Sequence, residues 1–147
     1  MTPDYNFIAI AVAALVPMIL GAIYYGPLFG KAWAASTGKT MKELEPDNMA
    51  ITYGLALFVA FILSFYIKTN IEMTHPAVNS AGDIIAGSFH TFKHGALHGA
   101  VMGLLSVVPV IISLSLFHKM KAKNILLNVV FWLLAMSIMG GILDAWV

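Results

Sequence analysis

The 147-residue chain has no cysteine and no arginine, and charged residues make up only 10% of it. Without cysteine, disulfides, thiolate nucleophiles and cysteine-ligated clusters are excluded. Without arginine, a planar bidentate clamp for phosphate or carboxylate is disfavoured. A soluble domain carries about 25% charged residues, so a chain this poor in charge cannot cover its apolar surface with polar groups. The net charge of +1 offers no dense positive field, which argues against nucleic acid as a partner. No nucleophile sits beside a base, no glycine loop is built to cradle phosphate, and no pair of carboxylates marks an acid–base site. The chain reads as no enzyme.

What the sequence has instead is apolar length. Hydrophobic residues make up 60% of the chain, gathered in four long stretches with short polar connections. A membrane-spanning helix needs about 20 mostly apolar residues. Spans are expected at residues 7–28, 50–67, 95–117 and 124–146. The expected fold is therefore all-α: one domain, an integral membrane bundle of four transmembrane helices, with kinks at Pro17 and Pro109. The second span is near the short limit, with Lys68 closing it. Asp4 and the lack of a nearby lysine leave no positive region at the start, so the first stretch reads as a retained span rather than a signal peptide.

In the first connection, Thr40-Met-Lys-Glu43 has the pattern of a capping box. Asp83 is placed to cap a third helix, whose opening segment, residues 83–94, is amphipathic and suited to the interface. Orientation follows from lysine. The first and third connections hold Lys31, Lys39, Lys42, Lys119, Lys121 and Lys123, against Lys68 and Lys93 on the other side. That bias places the Lys-rich connections in the cytoplasm and both termini outside.

The most specific local feature is His90, His94 and His98. Residues four apart lie on one side of a helix, and imidazole pairs at this spacing can bind a transition metal. The stripe drifts by about 40° per step, so a single ion rarely takes all three. His75, Glu72 and Asp83 fall on the same side as further ligands. The same imidazoles can relay protons, or serve simply as polar residues on a wet helix end. Lys93 beside His94 counts against a tight cation site. Asp144 is expected level with the stripe, where an Asp–His pair becomes possible.

Gly95, Gly99 and Gly103 repeat every four residues, which lets helix backbones approach closely in lipid. This stripe is rotated about 100° from the histidines, so one face packs while the next presents imidazoles. On the fourth span, Asn124 and Asn128 share a face and read as interhelical hydrogen-bonding groups, worth about 0.6 kcal/mol per contact. Trp132 is too deep for an interfacial tryptophan and is expected inside the bundle. Met136 and Met139 read as packing residues.

Two blocks carry a resemblance. Leu20-Gly-Ala-Ile-Tyr-Tyr-Gly-Pro-Leu-Phe-Gly-Lys-Ala-Trp33 resembles the signature of the DUF1761 family of small bacterial membrane proteins, through Gly21, Tyr24, Tyr25, Pro27, Phe29, Gly30, Lys31 and Trp33. The stretch from Phe117 through Asn128 to Trp146 is similar to that family's last helix. The resemblance implies a four-span protein of the bacterial cytoplasmic membrane and no assigned activity. The histidine stripe lies outside the signature.

Three function classes follow. The first is a structural or accessory membrane component that acts through helix packing, partnered by the lipid bilayer and by a second copy or another membrane protein. The second is a small oligomeric channel or transporter. The third is a metal-binding membrane protein using the histidines. The polar residues cluster near the two interfaces and leave the middle dry, which favours the first class over the second.

Overall fold

A computed structural model of the chain describes residues 5–74, 77–78, 80–81, 84–85 and 90–146. Among them, four helices are long and apolar enough to cross a membrane: Phe7–Leu28, Met49–Thr74, Phe92–Phe117 and Ala122–Ala145. In lipid each backbone N–H and C=O must be satisfied within its own segment, which leaves helix as the solution for runs like these. The class is all-α. A two-residue antiparallel ladder pairs Ala77–Val78 with Ile84–Ile85 in the connection between the second and third spans.

The first span starts on Asn6, whose side chain accepts from the amides of Ile8 and Ala9, each at 3.1 Å. Its α-helix stops at Ala14 and resumes as Val16–Ile23 with Pro17 in the new first turn. A proline is tolerated there because that N–H has no helical partner anyway. The span closes with a π-helical turn, Tyr24–Leu28, in which Gly26 leaves helical geometry (φ −99°, ψ −106°) just before Pro27. A residue preceding proline is sterically pushed from the α region. A short helix, Gly30–Thr37, follows, and Gly38 ends it in the left-handed region at φ 76°. The Thr40–Glu43 box forms around a 3₁₀ turn, Lys42–Leu44. Asn48 then caps the second span through the amide of Ile51.

The second span differs from the expectation. Instead of ending at Lys68 it runs on to Thr74. Thr69, Asn70 and Thr74 each donate a side-chain hydrogen bond to the carbonyl four residues earlier. These bonds and the pairing of Lys68 described below let a polar stretch stay helical. The third span also starts elsewhere than expected. Ile84–Ile85 is extended rather than helical, and the helix begins at Phe92 on Thr91, whose hydroxyl accepts from the His94 amide at 3.2 Å. Asp83 and residues 86–89 lie outside the described residues. A π-helical segment, Gly103–Val107, precedes Pro109, which again sits in the first turn of the resumed helix Val108–Phe117. Both prolines marked as kinks thus fall where the α-helical pattern is interrupted.

The third and fourth spans pack backbone on backbone. A Cβ added at Gly95 would overlap the Gly140 carbonyl and the Cβ of Asp144, and one at Gly99 would overlap the Met136 carbonyl. Gly103 continues the contact against Met136 and Leu133. The glycine stripe is therefore an intramolecular seam. At the histidine end, Ala9, Ile10 and Ala13 of the first span, Ile67 and Ile71 of the second, and Met136, Met139 and Leu143 of the fourth form the main core. At the Lys-rich end a smaller core joins Tyr24 to Leu127 and Phe131. The second span packs through its later half, where Ala60, Ser64, Ile67, Lys68 and Ile71 are buried. Ile51, Leu55, Phe58 and Val59 in its first half are exposed, as side chains facing lipid would be.

The seam predicts that Gly99→Ala destabilises the protein by about 1–3 kcal/mol through overpacking. Gly54→Ala, whose added Cβ would touch nothing, should be neutral or stabilise by about 0.5–1 kcal/mol. Unfolding midpoints in detergent compare the two; equal shifts would refute the seam. In the first connection, the Thr40 amide and hydroxyl donate to Glu43 at 2.8 and 2.7 Å and hold its carboxyl below the usual glutamate range. Because the folded value is depressed, the box is fully formed above the ordinary glutamate range and is lost as pH falls through that lower value. Protection of the Thr40 amide from hydrogen exchange should fall over the same window.

Candidate functional site

The glycine seam brings the last turns of the fourth span against the first turns of the third. Asp144 is fully buried there, at 0% exposure. Each of its oxygens meets an imidazole: Oδ1 lies 2.9 Å from His90 Nδ1, and Oδ2 lies 2.7 Å from His94 Nδ1. One helical turn on, His98 Nε2 lies 3.2 Å from His94 Nε2, with the two rings edge to face. The stripe is thus gathered into a chain, His90–Asp144–His94–His98. His75 lies outside the described residues. Among the described residues, no three His, Asp or Glu side chains converge on one ion position.

The hydrogen-bond chemistry of this chain is constrained. An ionised carboxylate only accepts, so both Nδ1 atoms donate to it. With His94 neutral, its Nε2 is an acceptor and His98 donates to it. A proton added at His94 Nε2 would make both of its nitrogens donors, and the His94–His98 bond then reverses only if His98 moves its own proton from Nε2 to Nδ1. The cluster is therefore a continuous run of donors and acceptors from His90 to His98.

A second ionic pair lies at the same end. Lys68, at 1% exposure, bonds Glu72 at 2.6 Å, one helical turn along its own span, and donates to the Leu143 carbonyl at 3.2 Å. Glu72 remains 25% exposed. An ammonium out of water requires such partners. The Leu143 contact also ties the second span to the residue beside Asp144. Tyr5 and Thr69 add a hydroxyl pair at 3.3 Å between the first and second spans. Ser64, one turn before Lys68, is buried and its hydroxyl has no partner among the described residues. The sequence reading missed Lys68 by placing it at the span boundary. The signal was present in Ser64, Lys68 and Glu72, polar at four-residue steps and hence on one helical face.

At the opposite end the signature block builds a different cluster. Tyr24 donates to the Leu127 carbonyl at 3.0 Å and Tyr25 to Asn128 Oδ1 at 2.7 Å. Asn128 in turn donates to the carbonyl and side-chain oxygens of Asn124, and Asn124 donates to Ser36 Oγ. Ser36 donates to the Trp33 carbonyl at 2.6 Å, and Lys121 reaches the Ala35 carbonyl at 3.4 Å. Tyr24, Tyr25, Phe29, Trp33 and Phe131 make successive ring contacts with centroids 4.6 to 5.5 Å apart. Gly30 is required for this turn, because a Cβ there would press on the Tyr25 carbonyl. Tyr25, Asn124 and Asn128 are thus joined as interhelical glue. Lys31 is exposed and takes no part in the network.

The model of a protein family described as "Protein of unknown function (DUF1761)" matches residues 8–144. No curated protein and no solved structure matches the chain.

Removing one member of a buried ionic set costs about 3–5 kcal/mol. Asp144→Ala is expected to lower stability by that order and to shift the ring-nitrogen resonances of His90 and His94. An unchanged unfolding midpoint with unchanged imidazole resonances would show that the carboxylate does not hold the histidines.

Proposed function

The chain belongs to the DUF1761 family, whose function is unassigned, and from that premise we propose that it is a non-enzymatic accessory component of a bacterial cytoplasmic membrane. It acts through helix packing, against a second copy or another membrane protein. The lysine bias supports Lys-rich connections in the cytoplasm and termini outside.

One observation carries this reading. The two polar clusters sit at opposite ends, and the buried residues between them, such as Ala13, Val16, Ala135 and Met136, are mostly apolar, with the Ser64 hydroxyl an exception. A pathway needs polar side chains aligned through the membrane, as charge or a hydrated solute is costly in a dry interior. A single protomer therefore supports scaffolding better than conduction, while its broad lipid-exposed face remains available for another membrane protein.

A second reading, a small proton-linked transporter, is favoured by Asp144. Ionisable residues within a span are functional candidates by default. Asp144 and Glu72 carry one negative charge each and Lys68 one positive charge, so these three sum to minus one. The imidazoles of His90 and His94, one on each oxygen of Asp144, are groups able to carry a proton. Liposomes containing the purified protein and an internal pH dye discriminate between the readings. Under an imposed pH gradient, the accessory reading expects proton leakage equal to that of protein-free vesicles, with no change in Asp144→Asn. Protein-dependent leakage that Asp144→Asn abolishes would establish the transporter instead.

A further inference from the structure

The second span leans on the bundle only through its later half, and at the Lys-rich end it stands apart from the first and fourth. The gap is a side-opening cavity of about 930 Å³. Its inner wall includes Gly21, Tyr25, Phe131 and Trp132, its outer wall Ala56 and Val59 of the second span, and its rim Trp33, Glu45 and Tyr53. Trp132 lies ten residues into the fourth span, so the cavity reaches about 15 Å inward from that end at 1.5 Å per residue. At roughly 30 Å³ per molecule, it has room for about thirty waters, yet water needs polar partners that an apolar cavity does not supply. Side chains left facing such a void would also lose their dispersion contacts.

An occupant must therefore be apolar along its length, enter from the lipid side and end at the interface. A phospholipid acyl chain meets all three conditions. Moving a chain from bilayer to cavity exchanges one hydrocarbon environment for another and supplies little selectivity. Selectivity has to come from the rim. Among the described residues, Glu45 is the one charged side chain lining the cavity, and it is solvent-exposed. The Trp33 indole N–H has no acceptor among the described residues. A carboxylate and an indole N–H lining the same cavity complement a headgroup that offers an ammonium together with phosphate or ester oxygens.

We propose that this cavity is a binding site for one phospholipid with an amine-bearing headgroup. An acyl chain lies between the first, second and fourth spans, the ammonium rests on Glu45, and an oxygen accepts from Trp33. Gly21, Tyr25 and Trp33 of the signature block then do more than join two helices: they form the wall and rim of the site.

The test uses the full chain in detergent, with Trp146→Phe so that Trp33 and Trp132 alone report. Phosphatidylethanolamine with brominated chains quenches tryptophan on contact. The expected result is saturable quenching near one lipid per protein, with half-saturation about tenfold weaker for phosphatidylglycerol, equivalent to the usual tenfold step in affinity. Glu45→Gln should abolish that headgroup preference while leaving the helical circular dichroism unchanged. Ala56→Phe, which fills the cavity, should remove the saturable phase. Quenching that rises linearly with lipid, alike in the parent and in Ala56→Phe, would overturn the site. Equal affinity for the two headgroups in the parent would overturn the amine assignment.

Discussion

Everything at the histidine end depends on how closely two backbones approach. Gly95 and Gly99 meet the carbonyls of Gly140 and Met136 with no side chain between them. In lipid, helix association gains no hydrophobic drive, so close packing and polar contacts must supply it. That proximity sets Asp144 within hydrogen-bond reach of His90 and His94. A Cβ at Gly95 would occupy space already taken by the Asp144 side chain, so the packing seam and the polar cluster share one geometry. The Leu143 carbonyl, on the adjacent residue, anchors Lys68 and brings the second span into the same assembly.

The two ends of the bundle solve the same problem differently. At the histidine end, ionic groups are buried and paired. At the Lys-rich end, neutral hydroxyl and amide groups, Tyr24, Tyr25, Ser36, Asn124 and Asn128, join the first and fourth spans under an aromatic cover. The fourth span is the common element. It carries the glycine seam, the asparagine pair and the carboxylate, and the other three spans arrange around it. The third is fastened along much of its length and the first mainly at its two ends. The second is fastened through its later half, and its looser first half leaves the lateral cavity.

Spans and class were readable because apolar length and helix are linked by the absence of water in the bilayer. The first span was legible from residue 7 to 28, since an apolar run of that length has to be helical to cross the bilayer. The glycine stripe and the adjoining histidine face were legible because both follow from 3.6-residue periodicity. Asp144 could be placed level with the histidines from span lengths alone. Lys68 could not be placed correctly, because a lysine at the end of an apolar run ordinarily marks the interface. Its burial depends on Glu72 and on a carbonyl 75 residues away in sequence, a partner that no local pattern reveals. The segment 83–94 was misread as the opening of the third helix for a related reason: Asp83 and Thr91 are both competent caps, and the ladder at Ile84–Ile85 decides between them. The union of Tyr25 with Asn128 was hidden although both residues had been singled out, because nothing in either block specifies the other.

The position of Asp144 also sets an order of assembly. It lies near the end of the fourth span farthest from the basic turn at Lys119–Lys123, so it meets His90 and His94 across the full length of the hairpin formed by the last two spans. His90 and His94 precede it by 54 and 50 residues, so they are synthesised before their partner exists. Until the fourth helix has inserted fully, the histidines lack the acceptor that unites them. Completion of the cluster is therefore coupled to completion of the hairpin, and a chain that stopped short of Asp144 would leave His90 and His94 without the carboxylate that joins them.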